Sequence, residues 1–199
     1  MQIIEYFEDG KKECWIEKIG SCDWGAAKYL AVLLKDGRFE TVLGTGGKLF
    51  LLCDGDELVS FVTLTHQDCI DDIRLFPWLG FVFTAPEYRG HRYSEQIISH
   101  ACEEARRQGH EKVYLATDHI GFYEKYGFIL SHSPNSCTPF IQRSLMQSAP
   151  KALACYLPVP SGKTPLYTKG SPAGCLLLSV RNPEIPISRI LFSSFLSLP

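Results

Sequence analysis

Long hydrophobic runs are missing from this 199-residue chain. None approaches the roughly 18 apolar residues that a spanning helix needs, so no membrane role is expected. Charge of one sign is missing as well. A net charge of −2 gives no global pull towards nucleic acid or an anionic bilayer, so neither is an expected partner and any basic patch must be local. The eight cysteines, at positions 14, 22, 53, 69, 102, 137, 155 and 175, contain no C-x-x-C pair, and the opening "MQIIEYFEDGKKE" has no apolar signal core. Reduced thiols in a cytoplasm are the expectation. No internal repeat is visible. What is present is the composition of an ordinary globule, 45% hydrophobic and 21% charged, long enough for one principal core.

One boundary stands out. Residues 1–130 carry 14 Lys and Arg against 21 Asp and Glu, a balance of −7, whereas 131–199 carry 6 against 1, a balance of +5. Ten of the twelve prolines follow residue 130. Two regions are therefore expected: a folded domain over 1–130 and a divergent Ser- and Pro-rich tail over 131–199. Strand-like runs in that tail ("ALACYLPV", "GCLLLSV", "RILFSSFLSL") are candidates to pair with a sheet edge.

"QIIEYFE" alternates like a strand, and "KKECWIEKIGSC" and "DWGAAKYLAVLLKDG" read as helices, the second with Asp23 as its cap and Gly37 as its stop. "KLFLLCDGDELVSFVTLTH" is a hairpin, with Asp54-Gly55 at the reversal between two apolar runs. "WLGFVFTA" is a third strand and "KVYLAT" a fourth. Between them lies a helix, "RYSEQIISHACEEARRQG", which presents Ile97, Ile98, Ala101, Cys102 and Ala105 on one face, pairs Glu103 with Arg107 and ends at Gly109. Strand, helix, strand makes a right-handed βαβ unit with parallel strands in a mixed α/β sheet. Ligands in such sheets sit where a strand's carboxyl end leads into a helix.

That place holds "YRGHRYSEQII". A helix N-terminus offers unpaired N–H groups and partial positive charge, Gly90 permits close approach, and Arg89 and Arg92 add charges suited to a diphosphate. The run resembles the pyrophosphate-binding motif of the Gcn5-related N-acetyltransferase superfamily, usually Arg or Gln, two residues, Gly, one residue, then Gly or Ala. Arg89 takes the first place, and Arg92 and Ser94 stand where the glycines are usual. Downstream, "GFYEKYGF" resembles the superfamily's Tyr-x-x-x-Gly-Phe segment, with Tyr123 at the tyrosine. Ala116 occupies the place of an Asn found in many members, so that cofactor contact is not carried over.

The resemblance implies a mixed, mostly antiparallel sheet whose central parallel pair splays around the cofactor, with helices on both faces. It implies an N-acetyltransferase that takes acetyl-CoA as co-substrate, without metal, and passes the acetyl group to a primary amine of a small molecule or protein. Main-chain groups of Phe81, Val82 and Phe83 would hold the pantetheine arm, and residues 89–94 (Arg89, Gly90, His91, Arg92, Tyr93 and Ser94) the diphosphate. Tyr123 would protonate the departing sulfur. The base for the amine stays open among His66, Asp68, Asp71, Asp72 and water. A homodimer is compatible with the sequence. The alternative from another class is a non-catalytic CoA-binding or protein-interaction module of the same shape. "GTGGK" at 44–48 lacks the remaining residues of a P-loop, and His66 with Cys69 and His100 with Cys102 lack a second matching metal-ligand pair.

Overall fold

Two periodicities build the fold: helices with one apolar stripe, and strands apolar on both faces and therefore covered on both. The computed structural model describes residues 1–70, 72–117, 119, 121–131 and 140–145. In chain order come β1 (Gln2–Glu5), α1 (Lys12–Ser21), α2 (Gly25–Lys35), α3 (Phe39–Leu43), β2 (Lys48–Asp54) and β3 (Glu57–Thr65). They are followed by β4 (Trp78–Thr84), α4 (Tyr93–Arg107), β5 (Lys112–Ala116), β6 (Ile129–Ser131) and β7 (Phe140–Ser144). The strands form one sheet in the order β1-β2-β3-β4-β5-β7-β6, antiparallel throughout except for the β4–β5 pair.

Alternation along the strands divides the core. Leu49, Leu51, Phe61, Phe81 and Phe83 face α1 and α2, while Phe50, Leu52, Val62, Leu79, Val113 and Leu115 face α4. The stripe expected on α4, Ile97 to Ala105, is the buried one. The hairpin closes over Gly55 (φ 60°), with Asp54 and Glu57 as the last register pair. The two-residue loop is thus Gly55-Asp56, and Asp54 still belongs to the strand.

Three details differ from the sequence reading. The cap of α2 is Trp24, in extended conformation without a side-chain cap bond, and not Asp23. The Trp24 ring stacks on Phe83 (5.7 Å between centroids, 11° between planes), which places the helix start one residue later than polar capping would. On α4 the ion pairs run Glu103–Arg106 and Glu104–Arg107 (3.3 Å) in place of Glu103–Arg107, because Glu104, held at 2.7 Å by Lys48 of β2, draws Arg107 to itself. The sheet also continues past residue 130, since β7 pairs with β5 from Lys112↔Ser144 to Ala116↔Phe140 and β6 lies outside it. The strand-like runs after residue 150 lie outside the described residues.

Candidate functional site

β4 and β5 touch at one register pair, Trp78↔Tyr114, with the Tyr114 N–H donating to Pro77 O (3.0 Å). Beyond that point no pairing joins them, and among the described residues no strand lies beside the main-chain edge of β4 that looks away from β3. A bulge lies on this open stretch. Phe81 has φ 49°, and the register with β3 jumps from Phe61↔Phe83 to Thr63↔Gly80, so that Phe81 and Val82 together oppose Val62. A bulky side chain at positive φ costs about 1–3 kcal/mol. The surroundings hold it there: Phe81 and Phe83 are buried under Trp24, Val82 turns to the α4 side, and the Ser60 hydroxyl donates to Phe83 O.

β4 then leads through a short turn into α4. Gly90 (φ 82°) and Arg92 (φ 62°) are both left-handed, and Arg92 is the N-cap. The motif's glycine position is thus a left-handed position here too, filled by arginine. Arginine carries donors only and cannot cap a helix through its side chain, so the amides of Tyr93 and Ser94 face outward ahead of the first helical bond, Gln96 N–H to Arg92 O (3.1 Å). The Arg92 guanidinium is paired with Glu95 and Arg89 Nε donates to Thr84 O (3.2 Å), so both charges are folded close to the turn. His91 Nδ1 meets Arg89 O (3.0 Å), and its ring stacks on Tyr93.

Tyr123 opens the short helical turn Tyr123–Tyr126, which ends at left-handed Gly127. Its ring is 6% exposed and packs edge-on against Phe122 and Phe128. Burial, reinforced by Tyr126, pushes its phenol well above the usual tyrosine range, so it stays a protonated donor. Ser94 Oγ and Tyr126 OH meet at 3.3 Å, tying this turn to the first turn of α4. Tyr123, Val82, Tyr93 and Tyr126 pack against the core cluster on the α4 face of the sheet, while Phe81 and Phe83 lie on the opposite face.

The candidate bases separate clearly. His66 is exposed and stacks on Phe76 (5.1 Å). Asp72 is buried but is gripped by both Nε and a terminal nitrogen of Arg74 (2.8 and 2.7 Å). Asp71 lies outside the described residues. Asp68 accepts from the Cys69 main-chain N–H (2.6 Å) through Oδ1, while Oδ2 lies over Gly80 of β4. A methyl group at Gly80 would sit 2.9 Å from both Asp68 Oδ2 and Thr63 Oγ1. Thr63 Oγ1 is the one fully enclosed side-chain oxygen without a hydrogen-bond partner among the described residues. Burial raises the Asp68 carboxyl from 3.8 to about 6, against the lowering pull of Cys69. Thr63, Gly80, Ser60 and Trp24 were not named as site residues from sequence. The readable signal was Gly80, a glycine inside an apolar strand, which marks close approach of another group.

A raised carboxyl weakens the fold as pH rises. Below about pH 4 Asp68 is protonated in both states and costs nothing, and between about 4 and 6 only the unfolded chain ionises, so stability is lost. The loss reaches at most about 3 kcal/mol and is smaller for a side chain still partly in solvent. Asp68→Asn is therefore expected to melt higher than the wild-type chain at pH 8. The gap should close as the pH falls towards 4, and a constant gap across this range would contradict the account.

No helix among the described residues is long and apolar enough to cross a membrane, and no group of three or more metal-type side chains lies together among them. The family model described as acetyltransferase (GNAT) family matches residues 5–128. No curated protein matches the chain. Among solved structures, an aminoglycoside 6'-N-acetyltransferase from Enterococcus faecium is similar at 15% identity and TM-score 0.54, covering 75% of this chain and 100% of its own. A GNAT family N-acetyltransferase from Escherichia coli, in complex with CoA, is similar at 15% identity and TM-score 0.53, over 72% of this chain and 81% of its own. A GNAT family acetyltransferase from Staphylococcus aureus Mu50 reaches 21% identity and TM-score 0.50, over 72% and 98%. At these identities the likeness is one of fold.

Proposed function

The chain belongs to the acetyltransferase (GNAT) family, and from that premise we propose that it is an N-acetyltransferase that moves an acetyl group from acetyl-CoA to a primary amine of a small molecule or protein. The observation that carries this reading is the parting of β4 from β5 after Trp78, with the Phe81 bulge on the open edge and the outward amides of α4 directly beyond it. The donor set fits the group: an unladdered strand edge suits the amides of a pantetheine arm, and a helix start without a side-chain cap suits a diphosphate.

Acetyl-CoA supplies the activated thioester when bound. Main-chain groups of Phe81, Val82 and Phe83 hold its arm, the amides around Val82 polarise the acyl oxygen, and residues 89–94 hold the diphosphate. Tyr123 gives its proton to the sulfur as it leaves. The acceptor enters on the α1–α2 face, beside Trp24. A cytoplasmic location and the possibility of a homodimer belong to this reading, as does a distinct Ser- and Pro-rich tail within 131–199, apart from the β6 and β7 residues that join the sheet.

Calorimetric titration with CoA, beside thiol release from acetyl-CoA with spermidine, tyramine, kanamycin and a lysine peptide as acceptors, tests the function. Turnover on any of them supports it. Binding without turnover favours a non-catalytic CoA-binding module, and no binding removes both. A sharper expectation concerns Arg92. Since its side chain is committed to Glu95 and its backbone is left-handed, Arg92→Gly is expected to leave CoA affinity within about tenfold, and relief of about 1 kcal/mol of backbone strain should offset the lost ion pair. A loss beyond about a hundredfold by calorimetry would mean that the guanidinium, and not the main chain, holds the phosphates.

A further inference from the structure

The niche over Gly80 is unexplained by cofactor binding. It lies on the face of β4 shared with Trp78, opposite the α4 face to which Leu79 and Tyr123 belong. It directly precedes the bulge at Phe81. Its two oxygens come from neighbouring elements, Thr63 from β3 and Asp68 from the β3–β4 loop. That loop is pinned by Ile70 and Cys69 packing against Trp78, Tyr114 and Phe140. Among the described residues Thr63 Oγ1 has no partner within the protein and is sealed from solvent, so the half-buried Asp68 is the one of the two that an amine can reach.

We propose that Asp68 is the general base of the transfer, taking the proton of the incoming amine on Oδ2, the oxygen that lies over Gly80. This rests on the acetyltransferase reading. The amine adds to one face of the planar thioester carbonyl and the sulfur then leaves from a tetrahedral carbon, so base and acid must serve separate groups, and the niche and Tyr123 lie on opposite faces of the sheet. As the C–N bond forms and the C–S bond breaks, one amine proton passes to the Asp68 carboxylate and the Tyr123 proton passes to the thiolate. Solvent then deprotonates Asp68 and reprotonates Tyr123, so no further reactant is needed. Asp72 cannot substitute, because Arg74 occupies both of its oxygens. A carboxyl raised to about 6 is mostly ionised at neutral pH yet more basic than a surface aspartate, as the task requires.

Two measurements test the proposal. The first needs no turnover: the carbon-13 carboxyl resonance of Asp68, assigned by its loss in Asp68→Asn and followed from pH 3 to 9 in the CoA-bound protein. A midpoint near 6 supports the proposal, and one near 4 overturns it. The second uses the acceptor that the wild-type chain turns over. Asp68→Asn keeps the oxygen that receives the Cys69 N–H. It is expected to retain CoA binding, lose about a hundredfold in kcat at pH 7.5 and lose the acid limb of the pH profile near 6. Wild-type turnover with an unchanged limb in the variant overturns this inference alone. No turnover of any probe amine by the wild-type chain overturns the functional reading and this inference together. Should Asp68→Asn fail to fold, assignment by Asp68→Glu lets the carboxyl titration decide.

Discussion

Tyr123→Phe is expected to lower kcat by about a hundredfold or more while CoA affinity stays within about twofold, because general acid assistance contributes of that order and only the hydroxyl is removed. The ring packing against Phe122 (4.9 Å) and Phe128 (6.1 Å) needs no hydroxyl, so the variant should melt close to the wild-type temperature. The direction of the phenol's shift matters here. Burial keeps it neutral across the working range, so the wild-type rate should show no alkaline fall assignable to tyrosine ionisation below pH 10. Steady-state thiol release and calorimetry on one preparation check both halves. Equal kcat in the two proteins would remove Tyr123 from the chemistry and leave it as a core aromatic.

Gly44→Ala should give the largest loss of stability. Gly44 ends α3 at φ 93° and ψ 146°, a region nearly closed to residues with a Cβ. The added methyl would also lie 2.5 Å from His66 Cβ, an atom too close to its own backbone to swing aside. Backbone strain and overpacking each cost about 1–3 kcal/mol, so about 3 kcal/mol or more is expected, roughly 10 °C in melting temperature for a chain of this size. The Gln67 N–H to Leu43 O bond (3.0 Å) joins the same two segments, so the strain reaches the β3–β4 loop that carries Asp68. A shift below about 2 °C by thermal melting would show that the loop yields easily.

Much of this fold is written locally. Gly55 between two apolar runs announces the hairpin, and the spacing of Ile97, Ile98, Ala101 and Ala105 announces the buried face of α4. Arg89 and Tyr123 stand out in the sequence because each sits in a short motif at a fixed place around the βαβ unit. What stayed hidden depends on contacts between distant segments. Nothing about phenylalanine favours a left-handed backbone, so the bulge at Phe81 could not be read from its own residue. It exists because β3, Ser60 and Trp24 over-determine it. Trp24 displaced Asp23 as the helix cap for the same reason. Asp68 looked no different in sequence from Asp72, and only the partners, Cys69 and Gly80 for one and Arg74 for the other, set them apart. The strands after Phe128 escaped because they are short, and Ile129 and Leu130 are both exposed.

The lone Trp78↔Tyr114 register pair has a consequence for turnover. If the pantetheine arm finishes the interrupted ladder, spent and charged carrier complete it equally, since the acetyl group lies outside the repeated amides. Most of the grip is then shared by reagent and by-product, and the enzyme tells them apart only at the final few atoms. Free CoA should therefore compete with acetyl-CoA for such a wedge at similar affinity.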